Sequence, residues 1–528
     1  MKEIAVSRRT VLAGMFGALP GCGNAQTPRR GNPVAGELKL KLTARDALGG
    51  VLLPEQSAFF DLALMNEGKT DARVPALSGN RWTPVYRLVD GAGAPIREVT
   101  LSDLYRRLGA ERGEPMEEEA QMATVRAGGA LPGWIDLWSY IAPLPKGKYA
   151  LVARHILDRA TGSAIESSPV PFSIVDAKVR DVALGYQDAM RQASVMAWVA
   201  KPETGGAAQI LVRLSAVDNH RSAQRSGMSM GETAEGTKIA VGGKPPEGTP
   251  NILGWVGALS PVAGQDSSLR MFSLNGAAAQ WKSDPIAFPL REAVPVPGFP
   301  DRGHAVFMAV GKHGDGDHLV GVVVAPKGPV VRGWSVQLQT MPARTACVFG
   351  MEGSITLAMG TDDGESARLA LIDVDEKGAV TVPERVVRTS PNALLALLPD
   401  RTPGNSGFLA IEEKRDHLNE LVVVRIPLAG AAKEAFVPPI PLWPTVEGRL
   451  LPPLHFAMAV TESGQPLIAF LDQYGHYYAG AADGSALSVL TQSGKDPRIV
   501  LPQVAALMGR STFAGFAENG ALVIVGGR

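Results

Sequence analysis

The chain has 528 residues, 45% hydrophobic and 20% charged, a soluble globular balance long enough for two or three domains. Lys plus Arg equals Asp plus Glu at 52 each, which argues against nucleic acid as a partner, because that binding needs a basic surface. No apolar run reaches the roughly 18 residues that span a bilayer, and 59 glycines and 40 prolines spread along the chain indicate many turns between short strands.

The first element is "MKEIAVSRRTVLAGMFGALPGCGNAQ". Arg8 and Arg9 stand before Val11 and Leu12, and an apolar, glycine-containing run from Thr10 to Leu19 is too short for a transmembrane helix. Leu19-Pro20-Gly21-Cys22 follows. The "SRRTVL" stretch resembles a bacterial twin-arginine export signal, and Leu19 to Cys22 resembles a lipobox, with Pro20 departing from the small or β-branched residue expected there. The resemblance implies that residues 1–22 are a signal and that Cys22 is lipidated. More than one acyl chain would then anchor the protein stably to the bacterial envelope, facing the periplasm. Gly23, in place of an Asp, leaves the outer membrane open as the destination. Cleavage after Ala25 is the alternative. Residues 23–35 are polar, with Pro and Gly, and form a tether. The export route so implied carries folded cargo, so the fold would not rest on disulfides. Cys347, the other cysteine, lies between apolar neighbours in "TACVFGM" and is expected in a buried strand.

Residues 36–176 carry alternating runs such as "ELKLKLTA", "AFFDLALMN" and "YALVARHIL", separated by turn formers. Such half-buried strands suggest a β-sandwich. In "PLPKGKYALVARH", Gly147 and Tyr149 resemble the tyrosine corner of immunoglobulin-like sandwiches, where the Tyr hydroxyl bonds to upstream backbone; Pro145 stands where that motif has Asp. An insertion, "LSDLYRRLGAERGEPMEEEAQMATV", has Leu101, Leu104, Tyr105 and Leu108 at helical spacing, and its acidic run at Glu117, Glu118 and Glu119 suits a helix start. In "GWIDLWSYI", Trp134, Asp136, Trp138 and Tyr140 fall at period two, which predicts one strand face. Aromatics so placed either fill the sandwich core or stack on a sugar ring.

Residues 177–528 repeat a pattern of two apolar strands around a polar loop, as in "AVFMAVGKHGDGDHLVGVVVA" and "GFLAIEEKRDHLNELVVVRIPL". Seven such units of about 50 residues each match four-stranded blades, so an all-β chain is expected: an immunoglobulin-like sandwich followed by a β-propeller of about seven blades. The terminal hairpin turns at Asn519-Gly520, and "VRDVALGY" after the sandwich is expected to pair with the last strand and close the ring. A row of β-sandwiches is the alternative architecture.

Four constellations stand out. His313, Asp315, Asp317 and His318 combine imidazole and carboxylate in "KHGDGDH", a set that could hold a divalent metal, while a plain turn selects the same Gly and Asp residues. The polar stretch from Asp218 is expected to be a long loop. It contains the Gly-x-Ser-x-Gly match Gly227-Met228-Ser229-Met230-Gly231, lacking the strand-to-helix context of a nucleophile elbow. His220, Met228 and Met230 are soft donors suited to copper. Tyr474, His476 and Tyr478 share one strand face in "DQYGHYYAG", as core or as a recognition edge. No phosphate loop, dinucleotide fingerprint, haem attachment motif or paired-cysteine zinc motif occurs. The function expected is therefore binding, with no catalytic residues and no cofactor beyond that metal. The chain would be a membrane-anchored scaffold recognising an envelope protein or a glycan through propeller loops. The alternative is an exported hydrolase, lyase or cofactor-dependent redox enzyme with its site at the channel mouth.

Overall fold

A computed structural model describes residues 37–526 apart from connecting segments, of which the longest are 104–120, 217–226, 243–253, 428–439 and 490–498. Side chains are described up to residue 381, outside those segments and stretches such as 184–194. Arg8, Arg9, Cys22 and the tether lie outside the described residues, as does most of the expected helical insertion. Among the described elements the chain is all-β, with one four-residue helical turn.

The N-terminal part contains β1 (Leu38–Ala44), β2 (Val51–Leu52), β3 (Phe59–Asn66), β4 (Ala72–Pro75), β5 (Val85–Asp90), β6 (Pro95–Val99), β7 (Met122–Val125), β8 (Ala130–Asp136), α1 (Leu137–Tyr140), β9 (Gly147–Asp158), β10 (Ser163–Glu166) and β11 (Val170–Ile174). One sheet has the order β1-β3-β8 and a second the order β2-β11-β9-β5-β6, with β10 on β9. The alternation in β1 buries Leu38, Leu40 and Leu42 and exposes Lys39 and Lys41. These leucines, with Phe60, Leu62 and Leu64 of β3, meet Leu88, Leu151 and Phe172 of the second sheet in one core. Tyr149 donates its hydroxyl hydrogen to the Pro145 carbonyl at 2.8 Å, pinning the start of β9.

Two expectations need correction here. Met122–Val125, the tail of the supposed helical insertion, is a strand paired with β4. The period-two row from Trp134 to Tyr140 breaks at Asp136. That residue caps α1, accepting from the Trp138 amide at 3.3 Å and the Ser139 hydroxyl at 3.0 Å. The chain turns there, so Trp138 enters the core and donates its indole N–H to the Gln56 carbonyl at 2.7 Å, whereas Trp134 stays 53% exposed.

Seven further sheets follow in chain order. The first is β12 (Ala177–Asp188), β13 (Ala193–Pro202), β14 (Ala208–Ala216) and β15 (Met228–Thr233); the second is β16 (Lys238–Val241), β17 (Gly254–Ser260), β18 (Ser267–Asn275) and β19 (Ala278–Lys282), with β20 (Ile286–Phe288) on β18. The third is β21 (Arg291–Pro295), β22 (Ala305–His313), β23 (Gly316–Val324) and β24 (Val330–Gln337); the fourth is β25 (Arg344–Phe349), β26 (Ile355–Asp362), β27 (Ala367–Val374) and β28 (Val380–Ser390). The fifth is β29 (Leu394–Pro399), β30 (Ser406–Arg415), β31 (Leu418–Pro427) and β32 (Ile440–Leu442). After the small hairpin of β33 (Thr445–Val446) and β34 (Arg449–Leu450), the sixth is β35 (Pro453–Val460), β36 (Pro466–Asp472), β37 (Tyr477–Ala481) and β38 (Ser488–Val489). The seventh has three strands, β39 (Ile499–Leu507), β40 (Arg510–Ala517) and β41 (Leu522–Gly526).

A lone sheet cannot cover both faces, and here the first four pack successively on one another. Val195, Ala197 and Val212 of the first sheet pack on Val256 and Phe272 of the second. Trp255, Met271 and Phe288 of the second pack on Phe307 and Val322 of the third, whose Met308 and Val310 pack on Leu357 and Ile372 of the fourth. The first strands stand side by side: β12 lies beside β16, β29 beside β35, β35 beside β39, and β39 beside β12.

The expected strand exchange does not occur. Among the described residues β41 pairs only with β40, and the segment expected to complete it is part of β12, bound to β13. Four residues join β12 to β13, so the local hairpin closes at far lower loop entropy than a pairing with a strand more than 300 residues away.

Candidate functional site

The hairpin between β22 and β23 turns at Gly314 and Asp315, with Gly314 at φ +58°, a left-handed conformation that suits glycine. Register places Lys312 opposite Asp317, and Gly311 opposite His318. Lys312 Nζ lies 2.5 Å from Asp317 Oδ1. His313 Nδ1 meets the Pro289 carbonyl at 2.8 Å, and His318 Nδ1 meets the Ser335 hydroxyl at 2.8 Å. The two rings stand edge to face, 5.2 Å between centroids. Asp317 is thus neutralised by a lysine, and each imidazole has one nitrogen engaged, that of His318 by its own sheet and that of His313 by the connection between β20 and β21. Among the described residues no group of three or more His, Cys, Asp or Glu side chains is placed to hold a metal. This tip brings His313, Asp315, Asp317 and His318 together as a rigid polar hairpin end.

The polar stretch from Asp218, expected as one long loop, contains two strands. Met228 and Ser229 pair with Val212 and Leu211 of β14, and β16 starts the next sheet at Lys238. Met230 is buried between the first and second sheets, and Met228 packs against the same cluster, so their spacing serves the core. His220 lies outside the described residues. The Ser229 hydroxyl donates to Gln209 Oε1 at 3.1 Å and receives the Gly231 amide at 3.2 Å, so it is held by an amide and a backbone N–H within its sheet. Tyr474 and His476 lie outside the described residues; Tyr478 sits in β37. Cys347 sits in β25, opposite Leu357.

A second polar locus joins the N-terminal part to the first sheet. Gln56 forms a parallel bridge with Gly227; the Ser57 amide donates to the Gly227 carbonyl at 2.7 Å, and the Gly227 amide donates to the Glu55 carbonyl. Glu55, itself at φ +62°, places its carboxylate 3.9 Å from the Arg213 guanidinium, which is 5% exposed. Burial pulls that guanidinium below its ordinary range and the Glu55 charge opposes the shift. Beside them Leu53 and Val175 pack on Met196, Trp198 and Leu211, the face of the first sheet turned away from the second. Where the first strands adjoin, Asp181 accepts the Ile239 amide at 2.7 Å, tying β12 to β16. Burial raises its pKa, with the Ile239 amide and Lys238 opposing.

No family model and no curated protein matches this sequence. Among solved structures, the beta-propeller domain of the Trilobed protease from Pyrococcus furiosus, described as having an open velcro topology, aligns with 67% of this chain and 94% of its own. The identity is 8% and the TM-score 0.37. BBS1N, solved in complex with ARL6DN, aligns over 67% of this chain and 97% of its own, at 11% identity and TM-score 0.36. A structural-genomics protein of unknown function from Bacteroides thetaiotaomicron covers 92% of this chain and 98% of its own, at 9% identity and TM-score 0.30. These values assign the chain to no family.

Sequence reasoning missed the junction. Leu53-Pro54-Glu55-Gln56 looks like an ordinary turn after a strand, and nothing local marks Arg213, more than 150 residues later, as its partner. The one available signal was an arginine inside the apolar run "QILVRLS", where a charge needs a buried counterpart.

Proposed function

We propose that this chain is an envelope-anchored binding scaffold, an immunoglobulin-like sandwich carrying a seven-bladed propeller that recognises a protein through its hairpin tips. The observation that supports the reading is that β12, the first strand of the first of these sheets, lies beside β16 of the second and beside β39 of the last. In such a ring the turns between second and third strands point to one face. The tip at Gly314 and Asp315 and the turns at 203–207 and 261–266 then share that face. Their polar residues stand on rigid strand ends, an arrangement that favours recognition at low entropic cost. The twin-arginine and lipobox resemblance supplies the address, with Cys22 as anchor.

The test is site-specific photocrosslinking in the native envelope, with the crosslinker at Asp315 or at the exposed Glu98 of β6. A discrete adduct from position 315, absent from 98 and retained in the membrane fraction only while Cys22 is present, is the expected result. Equal labelling from both positions, or a soluble Cys22-bearing protein, overturns the reading.

A further inference from the structure

The outer face of the three-stranded sheet β1-β3-β8 carries an assembly that the scaffold reading does not use. Trp134 of β8 is 53% exposed. Register sets it directly opposite Asp61 of β3, which is opposite Thr43 of β1, so the three form one row across the sheet. In the next row, Phe59 holds the indole edge to face, with centroids 5.9 Å apart and planes at 63°. The Arg45 guanidinium lies 5.8 Å from the centre of the Phe59 ring. Arg45 also grips Asp61 with a two-pronged fork, Nε to Oδ2 at 3.0 Å and Nη2 to Oδ1. Both members of the pair are nearly half exposed, at 42% and 45%.

We infer that this face is a glycan-binding platform, taking a neutral pyranose of hexose or N-acetylhexosamine type on Trp134. A pyranose ring has an apolar C–H face and a rim of hydroxyls. The indole offers an apolar plane of matching size, already fixed by Phe59. At its edge the carboxylate accepts from hydroxyls and the guanidinium donates to them. The fork between Arg45 and Asp61 orders both groups before a ligand arrives, so little rotamer entropy remains to be lost.

A protein partner fits the surroundings less well. On the side away from Phe59 the row is flanked by Lys41, Ala63 and Pro132, small or polar. Among the described residues the other exposed large apolar side chains, Ile96, Met122, Val262, Val294, Val330, Val331 and Val380, belong to other sheets or their connections. One exposed indole among such neighbours spans the footprint of a sugar, not the roughly 1,200 Å² or more of a stable protein interface. The site is independent of the hairpin-tip face and stands whether or not that face binds a protein.

The test is tryptophan-fluorescence titration of the full chain with cellohexaose and chitohexaose, alongside affinity electrophoresis in galactomannan gels. Binding of at least one sugar is expected, weakened about tenfold or more by Trp134→Ala with the melting temperature unchanged. Trp134→Tyr, which keeps an aromatic plane, should retain most of the affinity, and it carries the test if the alanine variant fails to fold. Asp61→Asn should weaken binding while leaving the stacking signal. No binding to any of the three probes overturns the inference, as does binding that Trp134→Ala leaves intact. A self-association seen by gel filtration and lost in Trp134→Ala also overturns it, in favour of a contact between two copies.

Discussion

His155 shows how a single buried polar side chain is held in the N-terminal core. It is fully buried in β9. The Thr83 hydroxyl accepts the Ile156 amide at 2.9 Å and pairs with His155 Nδ1 at 3.0 Å. Burial lowers the His155 pKa from 6.5 to about 4, the Pro75 carbonyl opposing. Because the folded value lies below the unfolded one, the unfolded chain takes up the proton first as pH falls. Stability is therefore complete above pH 6.5 and declines towards pH 4, by at most about 3 kcal/mol. Urea midpoints taken between pH 7 and pH 5, above the main carboxylate range, should fall more steeply for the natural protein than for His155→Gln. Parallel slopes would remove His155 from the account. Asn66, also buried, satisfies its amide locally: Nδ2 donates to the Thr70 and Val125 carbonyls at 2.8 and 3.0 Å, and Oδ1 receives the Gly68 amide.

At the scale of elements, sheets stack because small residues on one face admit large ones from the next. Gly257 in β17 is such a place: a Cβ there would overlap the Phe307 ring, which itself packs edge to face on Phe288. Gly257→Ala should cost about 1–3 kcal/mol by overpacking, read as a lowered urea midpoint. Gly333→Ala, where a Cβ would meet only the Gly321 carbonyl at ordinary contact distance, should be nearly neutral. Equal effects would mean that the second and third sheets do not interlock through Phe307. The strands themselves were legible, since alternation in "ELKLKLTA" and unbroken apolar runs in "AVFMAV" translate directly into one-faced and two-faced burial. The tryptophan row in "GWIDLWSYI" was misread because period two continues in the letters after Asp136 has already capped a helical turn. A capping side chain competes with strand alternation, and no periodicity count registers it.

For the molecule as a whole, the junction between the N-terminal sheets and the first of the seven is the largest departure from a string of local hairpins. Leu53 is 2% exposed against Trp198 and Leu211, and the backbone at Gln56 and Ser57 bonds to Gly227, just ahead of β15. Leu53→Ala should destabilise by about 2–4 kcal/mol and separate the unfolding of the N-terminal part from that of the first sheets, seen as two transitions in urea. A single transition at the natural midpoint would show that the two parts do not share this core.

Alternation, turn residues and the recurrence of paired apolar runs determined the all-β class and most strand positions, because these depend on neighbours a few residues away. The tertiary structure alone decided that β12 pairs with β13 and not with β41, that Glu55 faces Arg213, and that Trp134 points outward while Trp138 points in. Each of those outcomes turns on competition between partners, one nearby and one distant, or one apolar and one capped. A sequence pattern shows what each segment can bury, but only the folded chain shows which surface arrives to cover it.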